Sequence, residues 1–461
     1  MPTYFKELFS SNDYSRALLY FAILFYGFTI LSYLLNVTEH PLGMDGYYYL
    51  LQQRSLSEDG SLYISDSPIT FLLISITSEI VSPVNAIKLV SVFSLMAILY
   101  FNARLVQVVS KSAGLSALAT ILIATSPNIE LYLAEFIKNS LGLALFGCLL
   151  YQLWQLNRDE SLLVLAFSLI LILIIWLTHK AAFGLALMYL LSWCVFNMKR
   201  APIVASLIFL VSLLLVCLGT YIDYGTLGFD DLFRQLEQTS IKHDIEILPL
   251  PLRVEGYFAL LATLAGSAYL LYSFRDRNYQ LLSLLLPSVC YCGVVTIIWW
   301  GDSLHPEGIK ARLYLMSFIP ASIVISIVIS RLNQKYLQLC LGLGIALVKC
   351  LIVINIFSPV KQYASPESAI EELKSSIQTY LPPDAVIVFS ERYFVYRIAY
   401  DMRRPTRLCQ FANNLDYWRV ELAAKSDRFD DQSVQYSEHF SYMPISTWLA
   451  KIPAEKDYCR R

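Results

Sequence analysis

The chain has 461 residues, of which 56% are apolar and only 15% charged, with a mean hydropathy of +0.54. A soluble globular protein carries about 25% charge, so composition alone makes this a membrane protein and excludes a disordered chain or a secreted disulfide scaffold. Lys plus Arg is 35 against 36 Asp plus Glu, which leaves no basic excess for a nucleic-acid partner.

A bilayer crossing needs about 20 apolar residues in a helix. In chain order such segments fall at 17–35, 85–107, 113–127, 139–156, 161–178, 181–197, 202–222, 255–273, 279–300, 312–331 and 336–357. The apolar run 68–81 is too short to cross and reads as an interfacial or re-entrant helix. Eleven crossings from a cytoplasmic N-terminus place Arg104, Lys111, Arg158, Lys199, Arg200, Arg275, Arg277, Arg331 and Lys335 inside, as the positive-inside rule requires. Counting 68–81 as a crossing turns all of them outward. The outer face then receives loops 36–67, 128–138, 223–254 and 301–311, together with the turn Thr178-His179-Lys180. Compact inner turns and the lack of a sorting signal point to a bacterial inner membrane.

Residues 361–461 hold 14 Lys/Arg and 14 Asp/Glu, against 21 and 22 in the first 360. This shift near Ser358-Pro359 predicts a transmembrane domain, 1–358, followed by a small soluble domain, 359–461, on the extracytoplasmic side. The latter reads as α/β, with a helix over 366–380 and a strand at 385–389 after the turn Pro382-Pro383-Asp384. Seven of the nine cysteines sit in apolar runs, where thiols act as small hydrophobes. Cys409 and Cys459 fall in the soluble part, where a disulfide is permitted.

The polar inventory of the outer loops holds the candidate chemistry. In loop 36–67 an acid, Asp45, precedes the aromatic stretch Gly46-Tyr47-Tyr48-Tyr49-Leu50. This pattern predicts an interfacial helix with Asp45 near its N-terminus, either as a cap or as a carboxylate held for base or metal chemistry. Glu130 and Glu135 in the second outer loop are open to an acceptor contact or a metal ligand, or form a solvated face. His179 and Lys180 end a long apolar helix, a position that suits either a functional pair or interface residues.

Asp45, Tyr48 and Gly60 match the first outer loop of the GT-C polytopic glycosyltransferases, which carries an acid, then aromatics, then a glycine. The small-residue helix ending Ala124-Thr125-Ser126-Pro127, the polar tip Thr178-His179, and Lys310-Ala311-Arg312-Leu313-Tyr314 with Pro320 downstream follow in order. The chain therefore resembles the GT-C superfamily, of the protein O-mannosyltransferase and lipid A aminoarabinose transferase type. The acid pair that many relatives carry in the first loop is absent here.

That resemblance implies a GT-C-like fold and an inverting glycosyl transfer. A sugar on a polyprenyl phosphate is attacked by an acceptor hydroxyl of a lipid, glycan or protein, and Asp45 serves as base. Positive charge is needed where the phosphate departs, and the candidates are Arg312, Lys310, His305, Lys180, His179, Lys138 and Arg253. Arg312 is the best placed, at the outer end of a crossing, where its stem lies in hydrocarbon and its fork grips phosphate. A snorkelling anchor is its other reading. Tyr48 and its neighbours suit stacking on a sugar ring. Whether a divalent cation takes part stays open. Two other readings are an O-antigen-type polymerase or ligase and a non-enzymatic transporter.

Overall fold

The computed structural model describes residues 14–221 save 38, 42, 44, 135, 159 and 160, residues 250–301 save 276 and 277, and residues 309–332. Beyond these it describes 338, 340–347, 370–371, 374–375, 377–378, 387–389, 392–403, 406–408, 417–424, 439–442 and 445–452. Of the expected loops 223–254 and 301–311, residues 223–249 and 302–308 lie outside the described residues, as do both cysteines of the C-terminal part, and the remainder is helical at Leu250 onward, Gly301 and Ile309 onward.

The apolar runs become helices: α1 (Tyr14–Val37), α4 (Pro83–Ser110), α5 (Ala113–Ala124), α7 (Ile137–Leu156), α8 (Leu162–Thr178), α9 (Lys180–Asn197), α10 (Pro202–Tyr221), α11 (Leu250–Arg275) and α12 (Tyr279–Gly301). Between α1 and α4 lie α2 (Gly46–Asp59) and α3 (Ile69–Ser78), and α6 (Asn128–Ala134) joins α5 to α7. Among the described residues seven helices are long and apolar enough to cross a membrane, by length and composition alone. At 10 residues, α3 is as short as the run 68–81 implied.

Helix ends follow capping chemistry. Ser82 opens α4 by accepting from the Asn85 amide at 3.3 Å, ahead of Pro83 in the first turn. Ser112 opens α5 in the same way through the Leu115 amide. The expected crossing 312–331 is broken into α13 (Ile309–Met316) and α14 (Phe318–Ser330). Pro320 accounts for it: it has no N–H to continue the ladder and sits in the first turn of the new helix, where none is needed. The stretch 128–138, expected as a loop, holds the two-turn helix α6.

Every residue from Phe318 to Ile327 of α14 is buried, the mark of a central helix that is apolar all round. In contrast, α1 turns Leu18, Phe21, Phe25 and Phe28 outward, each more than 60% exposed. Such a row at helical spacing suits hydrocarbon as its solvent.

The C-terminal strands are β1 (Ile387–Phe389), β2 (Thr406–Leu408), β3 (Tyr417–Ala424), β4 (His439–Tyr442) and β5 (Ile445–Ile452), in the order β2-β1-β3-β5-β4. β1 runs parallel to β2 and β3, and β5 antiparallel to β3 and β4. Helix α15 (Arg392–Met402) connects β1 to β2, the crossover that a parallel pair requires.

Close approach of α7 to the α8–α9 corner depends on Gly142. A Cβ there would stand 2.6 Å from Ala182 Cβ and 3.6 Å from His179 Cβ. Gly142→Leu is expected to cost about 1–3 kcal/mol by overpacking and to lower the melting temperature in detergent. Gly114→Ala, whose nearest neighbour is 3.8 Å away, is expected to leave that melt within about 0.5 kcal/mol of the parent.

Candidate functional site

Asp45 occupies the N-cap position of α2, and its carbonyl accepts from the Tyr49 amide at 3.1 Å. Its side chain makes no capping hydrogen bond. Asp45 is half-buried. Pro41 lies against Gly46, 2.7 Å from where a Cβ would stand, so the loop folds tightly on the first turn. Gly60, at φ 69°, ends the helix.

One turn on, Tyr48 anchors a polar knot. Its hydroxyl donates to Asp66 Oδ2, the same oxygen that the Lys138 ammonium grips. The Ser67 amide donates to Asp66 Oδ1 at 2.7 Å. Gln52 Nε2 donates to the Tyr48 hydroxyl and to the Ile64 carbonyl, both at 2.9 Å. Lys138 also lies 5.5 Å from the Tyr48 ring centre and 5.7 Å from that of Phe71. Burial, and then the Asp66 charge, push the Tyr48 phenol well above its ordinary value of 10.0. Tyr48 therefore stays protonated and acts as a donor. Stability held this way is present below about pH 10 and is lost as pH rises past it.

The same end of the bundle gathers the other loop elements through single bonds. The Lys138 amide donates to Tyr49 Oη at 3.3 Å, tying α7 to α2. Ser91 of α4 donates to the Leu133 carbonyl of α6 at 2.7 Å. Asn128 Nδ2 reaches the Leu315 carbonyl at 2.9 Å, and the Gly256 amide reaches Tyr314 Oη at 2.9 Å, so α6 and α11 both pin α13. Ser126 donates to Glu255 Oε1 at 2.6 Å, and Glu255 is fully buried.

Of the residues expected from sequence, Asp45 and Tyr48 share the head of α2. Lys138 joins Tyr48, but its charge is paired with Asp66, which suits a bolt more than a phosphate clamp. His179 caps α9: its Nδ1 accepts from the Ala181 amide at 3.2 Å, which leaves the ring proton on Nε2. Lys180 follows it in the first turn of α9. Lys310 and Arg312 lie on α13, Arg253 on α11 and Glu130 on α6. Their side chains are outside what the structure describes, as are His305 and Glu135 altogether.

Sequence reasoning missed three groups. Asp66 stood in a loop of several acids, and nothing local marks it as Lys138's partner. Glu255 sat at the edge of a crossing. Lys88, one turn before Ser91 in α4, is 1% exposed. A lysine within an apolar crossing is itself a signal, because burying an ammonium is costly without a task or a partner.

Two crystal structures of ArnT from Cupriavidus metallidurans share this architecture. One, bound to undecaprenyl phosphate, superposes with a TM-score of 0.57 at 11% identity over 95% of this chain and 98% of that one. The apo form gives 0.54 at 12% identity, over 96% and 99%. The chain has the ArnT fold. The fold implied by the ordered loop residues is therefore the one observed. No family profile matches the sequence, and no curated protein matches it.

The knot predicts a measurable coupling. In a double-mutant cycle on Asp66→Asn and Lys138→Met, the two residues are expected to couple by about 1–3 kcal/mol in thermal or chemical unfolding, as contacting charged partners do. Additive effects would show that the pair holds nothing.

Proposed function

We propose that the protein is an inverting glycosyltransferase that moves a sugar from a polyprenyl-phosphate donor to an acceptor hydroxyl on the extracytoplasmic membrane face. The observation that carries this reading is the full-length ArnT fold with an acid, Asp45, at the head of the first-loop helix and not used as its cap. The ArnT structure bound to undecaprenyl phosphate supports the donor class.

The acceptor oxygen attacks the anomeric carbon from the side opposite the phosphate. As the new C–O bond forms, the acceptor O–H proton passes to Asp45. The bond from the anomeric carbon to the phosphate oxygen breaks, and its electron pair leaves with the lipid phosphate. An ordinary aspartate, with a pKa near about 3.9, is a weak base toward a free hydroxyl. It is adequate for a hydroxyl that acidifies during attack.

Charge on the departing phosphate has to be met. Lys88 supplies a buried ammonium on the face of α4 that Ser91 turns toward α6. Arg312 adds a guanidinium on α13, which Asn128 and Gly256 hold at the same end of the bundle. An apolar groove of about 720 Å³ runs along α1 and α5, lined by Ala22, Tyr26, Gly114, Ala117 and Ile121 among others. At one end Tyr26 donates to the Ala124 carbonyl at 2.9 Å, two residues before Ser126. A groove without charge that ends near the Ser126–Glu255 pair suits an isoprenoid chain.

Asp45→Asn is expected to cut sugar transfer about 10²–10⁴-fold, the usual worth of a general base, with an unchanged melting profile. Membranes supplied with undecaprenyl-phosphate sugars, with released undecaprenyl phosphate followed by mass spectrometry, provide the measurement. Near-normal turnover would remove Asp45 from the mechanism. Lys88→Met is expected to weaken retention of undecaprenyl phosphate in native mass spectra by tenfold or more, about 1.4 kcal/mol. Equal retention would remove Lys88 from the donor site.

A further inference from the structure

We infer that Arg397, far along the chain on α15, is a positioning residue for Asp45, so that the C-terminal segment completes a site otherwise built in the membrane bundle. The inference rests on the proposed role of Asp45 as base.

Arg397 is 2% exposed, and its guanidinium carbon stands 4.4 Å from the centre of the Tyr47 ring. Asp401, one turn along α15, accepts from Arg397 Nε at 2.6 Å and also binds Lys374 at 2.6 Å. The carboxylate thus fixes the guanidinium plane and offsets its charge, so the fork is aimed and not merely buried. A cation over a tyrosine face is attracted more strongly when desolvated, as here, than at an exposed site.

Tyr47 carries that grip to the loop. It is 3% exposed, and its hydroxyl meets His40 Nδ1 at 3.1 Å. His40 precedes Pro41, and Pro41 packs on Gly46. Asp45 lies between these two clamps. Tyr47 follows Asp45 by two residues, about 200° round a helix of 3.6 residues per turn. Holding the tyrosine therefore sets the rotation of the first turn and the direction in which the acid points.

The other contacts between α15 and α2 are less suited to that task. Arg54 donates to the carbonyls of Tyr400 at 2.5 Å and Ala399 at 3.3 Å, two turns and more from Asp45. Arg403 meets Glu58 at 3.0 Å, but the pair is 69% and 47% exposed and is worth little. Tyr400, 6.0 Å from the Tyr47 ring, and Tyr396, 5.0 Å from that of Tyr48, pack on the first turn as rings, whereas Arg397 brings to it a charge that Asp401 holds in a fixed direction.

Arg397→Gln in the full-length protein in nanodiscs is expected to lower kcat at least tenfold, with KM for the donor within about twofold, because a misdirected base slows the chemistry and leaves binding intact. Arg397→Lys, which keeps a cation over the ring, is expected to fall between Gln and the parent. Tyr47→Phe keeps the ring, removes only the hydroxyl toward His40, and is expected to lower kcat in the same direction. Arg403→Gln is expected to match the parent. Hydrogen exchange at the Tyr49 amide, bonded to the Asp45 carbonyl, is expected to speed up several-fold in Arg397→Gln and not in Arg403→Gln. Unchanged exchange together with parental kcat in Arg397→Gln overturns the inference even when Asp45→Asn is inactive. Full activity in Asp45→Asn overturns the function instead, and the exchange result then stands on its own as a statement about the loop.

Discussion

A short helix lying at the rim of a membrane bundle cannot rely on the bilayer to hold it and has to be held from the side. For α2 the restraint is one carboxylate shared between a phenol and an ammonium: Asp66 receives Tyr48 from α2 and Lys138 from the start of α7. Charge-assisted bonds of this kind are strongest where water is scarce. Remove that shared oxygen, and the head of α2, with Asp45 on it, keeps the Lys138 amide on Tyr49, the Pro41 and His40 contacts and the packing of α15, but loses its charged restraint.

The rest of the bundle obeys a different constraint. Within hydrocarbon a polar group needs an internal partner, and many serines of the crossings find one locally. Ser94, Ser168, Ser212 and Ser322 each return their hydroxyl to the carbonyl four residues back. Arg104 is the larger case, bonded to Tyr20 and Gln107 and reaching Tyr151 of α7. Most of the polar groups proposed for chemistry gather toward one end, where loops break the ladders. One end collects the heads of α2, α6, α7, α9, α11 and α13.

Much of this was legible in the sequence because it is local. Apolar run length gave the helices, and the 14-residue limit kept 68–81 apart as the short α3. An acid ahead of three tyrosines marked the head of α2. What escaped was pairwise. Asp66 and Lys138 are 72 positions apart, and neither carries a periodic signal for the other. Lys88 hid inside a run whose mean hydropathy was high enough to absorb one charge. The break before α14 was readable in principle from Pro320, but a window of 20 apolar residues averages over it. Arg397 followed the expected strand 385–389 in a stretch to which no element was assigned.

The outward rows of α1 and α10 have a further bearing. Leu18, Phe21, Phe25 and Phe28, with Ile203, Leu210 and Leu214 on α10, are exposed to well over half their area. These side chains gain nothing from the protein interior, so their free energy is set by the surrounding amphiphile. Thermal stability is thus a joint property of polypeptide and lipid, and the chain length of a detergent or lipid is a thermodynamic variable as real as pH or salt.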